Sequence, residues 1–166
     1  KGNCNVAFVG LWRSMYSFRI KDTRAPMLVG SMPENGAVGV SPDTTLVLKF
    51  DEEVVVVDGS SGKVIFTPQD GTSSAIEVDI SGVAVDSSDA KKVVVSLGSG
   101  NKLESTPVAV EYEVTMSAGM VKDKAQTANM FSGIPSGELR FTVKDTEDPY
   151  IYYFSVLNRV FEEPCL

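Results

Sequence analysis

Apolar and polar residues alternate along several short stretches of this chain, which is the spacing of a strand with one buried face. Over 44–50, Leu46, Leu48 and Phe50 share one side, and Thr45, Val47 and Lys49 the other. Over 75–80, Ile76, Val78 and Ile80 oppose Glu77 and Asp79. Over 110–116, Val110, Tyr112, Val114 and Met116 oppose Glu111, Glu113 and Thr115. Over 138–144, Leu139, Phe141 and Val143 oppose Glu138, Arg140, Thr142 and Lys144. Two further runs, 63–67 and 91–97, are rich in β-branched residues. Between the runs lie turn formers: PENG at 33–36, DGSSG at 58–62, QDGTSS at 69–74 and GSGN at 98–101. Short strands with one apolar face, separated by such turns, predict an all-β fold: an antiparallel immunoglobulin-like β-sandwich of about seven to eight strands. The expected core holds Leu46, Leu48, Phe50, Ile76, Val78, Val95, Tyr112, Val114, Leu139 and Phe141. One short helical turn is expected near 123–131.

A second pattern is longer-ranged. FRIKDTRAP at 18–26 and FTVKDTEDP at 141–149 agree at five of nine positions: Phe, Lys, Asp, Thr and Pro. Each copy is the end of an amphipathic strand, then Asp-Thr, then a proline, which ends sheet pairing and stiffens a linker. That is how a strand closing one module and a linker opening the next would look. On this reading 22–145 is one whole module, 1–21 the end of a preceding module, and 146–166 the start of a following one. Tails of that kind carry unpaired strands, so the whole chain is expected to associate by donating a tail strand to a neighbour.

Composition narrows the chemistry. The 166 residues carry a net charge of −7, which argues against nucleic acid, whose phosphates call for basic contacts. No apolar run approaches the roughly 18 residues of a membrane span. With neither a leader-like start nor an initiator Met, the chain is expected to be a processed form or a piece of something longer. No Asn-x-Ser/Thr sequon is present, so N-glycosylation is not expected. Histidine is absent, which removes the commonest general base and the usual nucleophile triads. The two cysteines, Cys4 and Cys165, stand at the extremities of the chain and are not expected to bond each other.

The stretch DTRAPMLVGSMPENGAVGVSPDTTLVLKFDEEVV resembles the opening of bacterial Ig-like modules of the surface-layer-protein type, through Asp22, Pro26, Pro33, Asn35, Gly36, Thr45, Leu48, Phe50 and Glu53. Further on, Leu103, Tyr112, Val114 and Asp123 match the family's Leu…Tyr-x-Val strand and its Asp-containing loop. The Gly-Asn that follows the loop Asp in the family is replaced here by DKAQTAN, and the closing strand matches loosely. The resemblance covers 22–146. It implies a β-sandwich used in tandem on cell surfaces, in surface layers, adhesins and secreted polymer-acting proteins, and it carries no catalytic residue.

Candidate sites are few. Asp22, Asp145 and Asp148, with Glu147, sit near the two Pro-bearing joints, where carboxylates suit calcium. The plainer expectation is a solvated linker whose Asp caps a turn. Calcium apart, no cofactor is expected. Asp51, Glu52 and Glu53 read as a solvated rim protecting a strand end. Tyr112 is either a tyrosine corner or an ordinary core aromatic. Trp12, Tyr16, Tyr150, Tyr152 and Tyr153 lie in the tails, as partner contacts or as core residues of neighbouring modules. The function expected is therefore non-enzymatic: a spacer and assembly unit of an extracellular filament, surface layer or adhesin, located outside the cell or on its surface. Its partners would be neighbouring Ig-like modules or identical subunits. The alternative is a carbohydrate- or partner-binding module of a secreted adhesin or polymer-acting enzyme.

Overall fold

The computed structural model describes residues 20–98, 100–104, 109–125 and 127–146. They contain eleven strands: β1 Leu28–Met32, β2 Ala37–Val40, β3 Leu46–Phe50, β4 Val54–Val56, β5 Lys63–Pro68, β6 Ile76–Asp79, β7 Val83–Val85, β8 Lys92–Val95, β9 Val110–Met116, β10 Val121–Asp123 and β11 Arg140–Val143. A single 3-10 turn, Ile80–Gly82, joins β6 to β7. One sheet has the order β1-β3-β8-β7, the other β2-β11-β9-β5-β6, and β4 and β10 form a short ribbon. The expected all-β sandwich is what the chain forms.

The strands beyond the expected seven or eight are short. β4, β7 and β10 have three residues each, too few for an alternating pattern to show. Segment 28–40 splits into β1 and β2 because the PENG turn carries the chain from one sheet to the other. β2 then runs parallel to β11, pairing Ala37 with Phe141 and Val40 with Val143. The other pairings are antiparallel, as alternation and short turns predict.

The core lies between the two sheets. Leu46, Leu48 and Phe50 on β3 face Val64 and Phe66 on β5, Tyr112 and Val114 on β9, and Phe141 on β11, all buried in one cluster. Phe50 meets Phe131 edge to face at 5.1 Å, and Tyr112 stacks with Phe141 at 6.4 Å, the offset geometries that aromatic quadrupoles favour. Nine of the ten expected core residues are buried. Ile76 is half-buried, because it begins the edge strand β6 and has a strand on one side only. The Tyr112 hydroxyl donates to the Glu104 carbonyl at 3.1 Å, eight residues upstream, so the side chain is both core aromatic and tyrosine corner.

Two expectations fail, each where a buried carboxylate organises a loop. Glu113, placed on the polar face by alternation, is buried. Segment 134–138 crosses over it, bridging Ile134 to Met116, and the Ser136 hydroxyl and Gly137 N–H donate to its carboxylate. The helical turn near 123–131 does not form. Asp123 ends β10, its carboxylate accepts the N–H groups of Ala125 and Asn129, and Phe131 N–H returns to Val121 O. A side chain that satisfies the local donors removes the reason for a short segment to nucleate a helix.

Truncating Phe50 to Ala should destabilise the fold by about 3–5 kcal/mol, the usual range for a fully buried Phe. Chemical denaturation of the two proteins measures this, and a loss below about 1 kcal/mol would mean that the buried face of β3 is misassigned.

Candidate functional site at the entry pole

The chain enters at one end of the sandwich and leaves at the other. β1 starts opposite Phe50, the last residue of β3, and β11 ends beside Val40, the last residue of β2. Lys144 N–H donates to the Val40 carbonyl at 2.9 Å, so the exit lies beside the loop that leads into β3.

At the entry pole, the segment before β1 is fastened rather than hanging free. Pro26 is buried. Asp51 Oδ1 accepts the Met27 N–H at 2.8 Å, and Asp51 Oδ2 pairs with the Arg24 guanidinium at 2.8 Å. The Asp51 N–H donates to the Met27 carbonyl at 3.1 Å, and Lys91 Nζ reaches the Asp51 carbonyl at 2.8 Å. Across the pole, Asn129 Nδ2 donates to Asp123 Oδ2 at 2.7 Å and to the Asp22 carbonyl at 3.3 Å. Asp22 Oδ1 accepts the Arg24 N–H at 3.0 Å, the local turn expected of a linker Asp.

These ties bring three carboxylates together. Oxygens of Asp22, Glu52 and Asp123 lie within 4.8 Å of one another. Asp22 is exposed, Glu52 half-buried, and Asp123 only 1% exposed. Burial pushes the Glu52 carboxyl up, and the charges of Asp123, Asp22 and Asp51 push it the same way against Arg24. Burial also opposes ionisation of Asp123, but the hydrogen bonds from Asn129 and Ala125 together outweigh it and hold that carboxyl below its ordinary range. Three carboxylate oxygens are the hard, anionic donors that calcium accepts, with carbonyls and water filling the remaining positions. No histidine stands near them, since the sequence contains none.

The expected rim of Asp51, Glu52 and Glu53 is thus divided in role. Asp51 holds the incoming segment, Glu52 turns toward Asp22 and Asp123, and Glu53 pairs with Lys124 at 3.0 Å. Asp22 lies at this pole. Asp145 is exposed beyond β11 at the opposite pole, so the two joint aspartates do not meet. Asp148, Glu147, Trp12, Tyr16, Tyr150, Tyr152, Tyr153, Cys4 and Cys165 lie outside the described residues. Sequence reasoning noticed Asp123 only as a loop position and passed over Asn129. The signal available was the DKAQTAN stretch, an Asp with an Asn six residues on.

The bacterial Ig-like domain family matches residues 22–143. Among solved structures, the crystal structure of CopC from Methylosinus trichosporium OB3b is similar at 13% identity and a TM-score of 0.46, over 75% of this chain and 99% of that one. No curated protein matches the chain.

Removing one charge from the crowded pole should stabilise it. Glu52's folded pKa lies above its unfolded value, so the ionised form is disfavoured in the fold. The variant Glu52→Gln should melt higher than the parent near pH 7 in chelator, and the gain should vanish at about pH 3, where the carboxyl is protonated. Millimolar calcium should raise the parent's melting temperature and shrink that gain; unchanged melting of both proteins in calcium would exclude the cation.

Asp123 has the opposite sign. Its depressed pKa contributes stability that is present above about pH 4 and lost as pH falls through the folded value. Asp123→Ala takes the acceptor from the half-buried Asn129 and Ala125 N–H groups, at no more than about 1–3 kcal/mol each, the cost of a fully buried unpaired donor. Denaturant melts from about pH 7 down to pH 2 should show a large loss at neutral pH that narrows in acid. A pH-independent difference would mean that the carboxylate charge is not what organises the loop.

Proposed function

The chain belongs to the bacterial Ig-like domain family, and from that premise we propose that it is a non-enzymatic spacer and assembly module of an extracellular filament, surface layer or adhesin. The observation that carries this reading is the parallel pairing of β2 with β11. β2 is the strand nearest the entry that belongs to the second sheet, and β11 is the last strand before the exit. Their parallel arrangement puts the two chain ends at opposite poles. Tension between the ends therefore pulls β2 and β11 along their length in opposite directions. In that shear geometry the ladder's hydrogen bonds resist together, whereas a peeled hairpin surrenders them one at a time. The ties at Asp51 and Asn129 fix the angle at which the preceding segment meets the module. The similar Lys-Asp-Thr stretch at 144–146 suits the same role at the next joint.

The carbohydrate-binding alternative needs an exposed aromatic platform. All five aromatic side chains among the described residues, Phe50, Phe66, Tyr112, Phe131 and Phe141, are buried. No enzymatic role is proposed, and a location outside the cell or on its surface is part of the same reading.

Single-molecule pulling tests it. The force that ruptures the module held at positions 20 and 146 should clearly exceed the force when it is held at Lys63 and Asp79. Those two are a paired position at the open end of the β5–β6 hairpin, where the ladder is peeled. Equal or lower resistance along the chain ends would remove the load-bearing reading.

A further inference from the structure

Asparagine is followed by glycine once in this chain, at Asn35–Gly36. Asparagine is a thermolabile residue, and a glycine after it, lacking a Cβ, leaves room for the reaction responsible. The Gly36 backbone nitrogen attacks the Asn35 side-chain carbonyl carbon. A bond forms between Gly36 N and Asn35 Cγ, the bond from Cγ to Nδ2 breaks, and the Gly36 amide proton leaves with Nδ2 as ammonia. Water then opens the cyclic imide at one of its two carbonyls. One product is aspartate. The other is isoaspartate, in which the main chain runs through the side-chain carbons. One water is consumed and one ammonia released, with no other reactant.

The fold both presents this pair and restrains it. Glu34, Asn35 and Gly36 are exposed, and a Cβ built on Gly36 meets nothing within 4 Å. The Ala37 N–H donates to the Glu34 carbonyl at 3.0 Å, and Gly36 has φ 79°, so the four residues form a tight turn with glycine third. Arg140 opposes the attack. The Gly36 N–H donates to the Arg140 carbonyl at 2.7 Å, and Asn35 Oδ1 accepts the Arg140 N–H at 3.0 Å. Ring closure removes the Gly36 N–H altogether and turns Oδ1 back on its own main chain, so both bonds are lost. Both partners are backbone groups of the first residue of β11. Local opening of a strand end is the ordinary route by which such bonds are released.

We propose that Asn35 is a self-modification site, converting to isoaspartate and aspartate by this intramolecular route, and that the attachment of Arg140 to the turn gates it. Isoaspartate inserts one more main-chain atom before Gly36. The Gly36 N–H and the neighbouring oxygen then no longer stand at the spacing of the Arg140 carbonyl and N–H, so conversion loosens the crossing between the sheets. The proposal goes beyond the spacer reading and is independent of it, since neither ring closure nor its gate needs tension or a neighbouring module.

The test ages the whole chain in warm, mildly alkaline buffer, native and in guanidinium chloride. Peptide mapping by mass spectrometry follows residue 35, with Asn101 and Asn129 as internal controls. In denaturant, residue 35 should convert ahead of both controls and yield isoaspartate beside aspartate. In the native protein its conversion should be at least about tenfold slower, the factor set by an opening that costs about 1.4 kcal/mol. Amide hydrogen exchange of Gly36 measures that opening directly, and its protection should match the slowing. No conversion in denaturant, or conversion of a control ahead of residue 35, would overturn the site. Equal native and denatured rates, or a slowing unrelated to the protection of Gly36, would overturn the gate. Refolded isoaspartyl protein should melt below the parent. The variant Asn35→Asp keeps an oxygen for the Arg140 N–H and should melt near the parent. Equal melting of the isoaspartyl form and Asn35→Asp would overturn the loosening of the crossing.

Discussion

Between Met32 and Ala37 the chain leaves one sheet for the other, and that crossing settles how the sandwich closes and where its ends emerge. The turn is held on both sides. Gly36, at φ 79°, sends its N–H to the Arg140 carbonyl at 2.7 Å, and Asn35 Oδ1 receives the Arg140 N–H at 3.0 Å. The first residue of β11 is thus clamped to the crossing itself. Because the chain keeps its direction across the turn, β1 pairs antiparallel with β3 while β2 falls parallel to β11. One segment supplies an edge to each sheet. A chain that continued along β3 would leave β11 as an edge.

Buried carboxylates do the remaining organising. Glu113 and Asp123 are the two buried charged residues among the described ones, and each is met by donors from a loop that crosses the sandwich. A buried charge is costly unless hydrogen bonds meet it. A loop that supplies those bonds is therefore held far more firmly than its composition suggests. Among its described residues, segment 124–131 forms a single isolated bridge, Met130 with Lys122, yet Asn129 joins β10 to the incoming linker through three of its own hydrogen bonds.

At the entry pole the same device has a second consequence. Asp51 and Asn129 draw the linker inward, and Asp22 comes with it toward Glu52 and Asp123. Acids concentrate there because the backbone ties demand acceptors, with Arg24, Lys91 and Lys124 around them as partial compensation. The entry pole is consequently tied down and negatively charged.

The sequence alone determined the fold class, the turns and most of the core. The period-two runs state which side of β3, β9 and β11 is buried, and burial of alternate side chains is a local consequence of strand geometry. The Tyr112 position was legible for the same reason, as a short motif whose residues act on their own neighbourhood. What only the tertiary structure decided depends on segments meeting far apart in the chain. Glu113 obeyed the alternation and was nevertheless roofed by 134–138. The pairing of β2 with β11 joins residues more than a hundred positions apart. Asp22, Glu52 and Asp123 are three ordinary surface acids in the sequence. They become a cluster because the crossing at PENG, the ribbon of β4 with β10, and Asn129 bring three distant loops to one pole. Spacing along a chain records none of this, since convergence is set by which strands are neighbours and not by how many residues separate them.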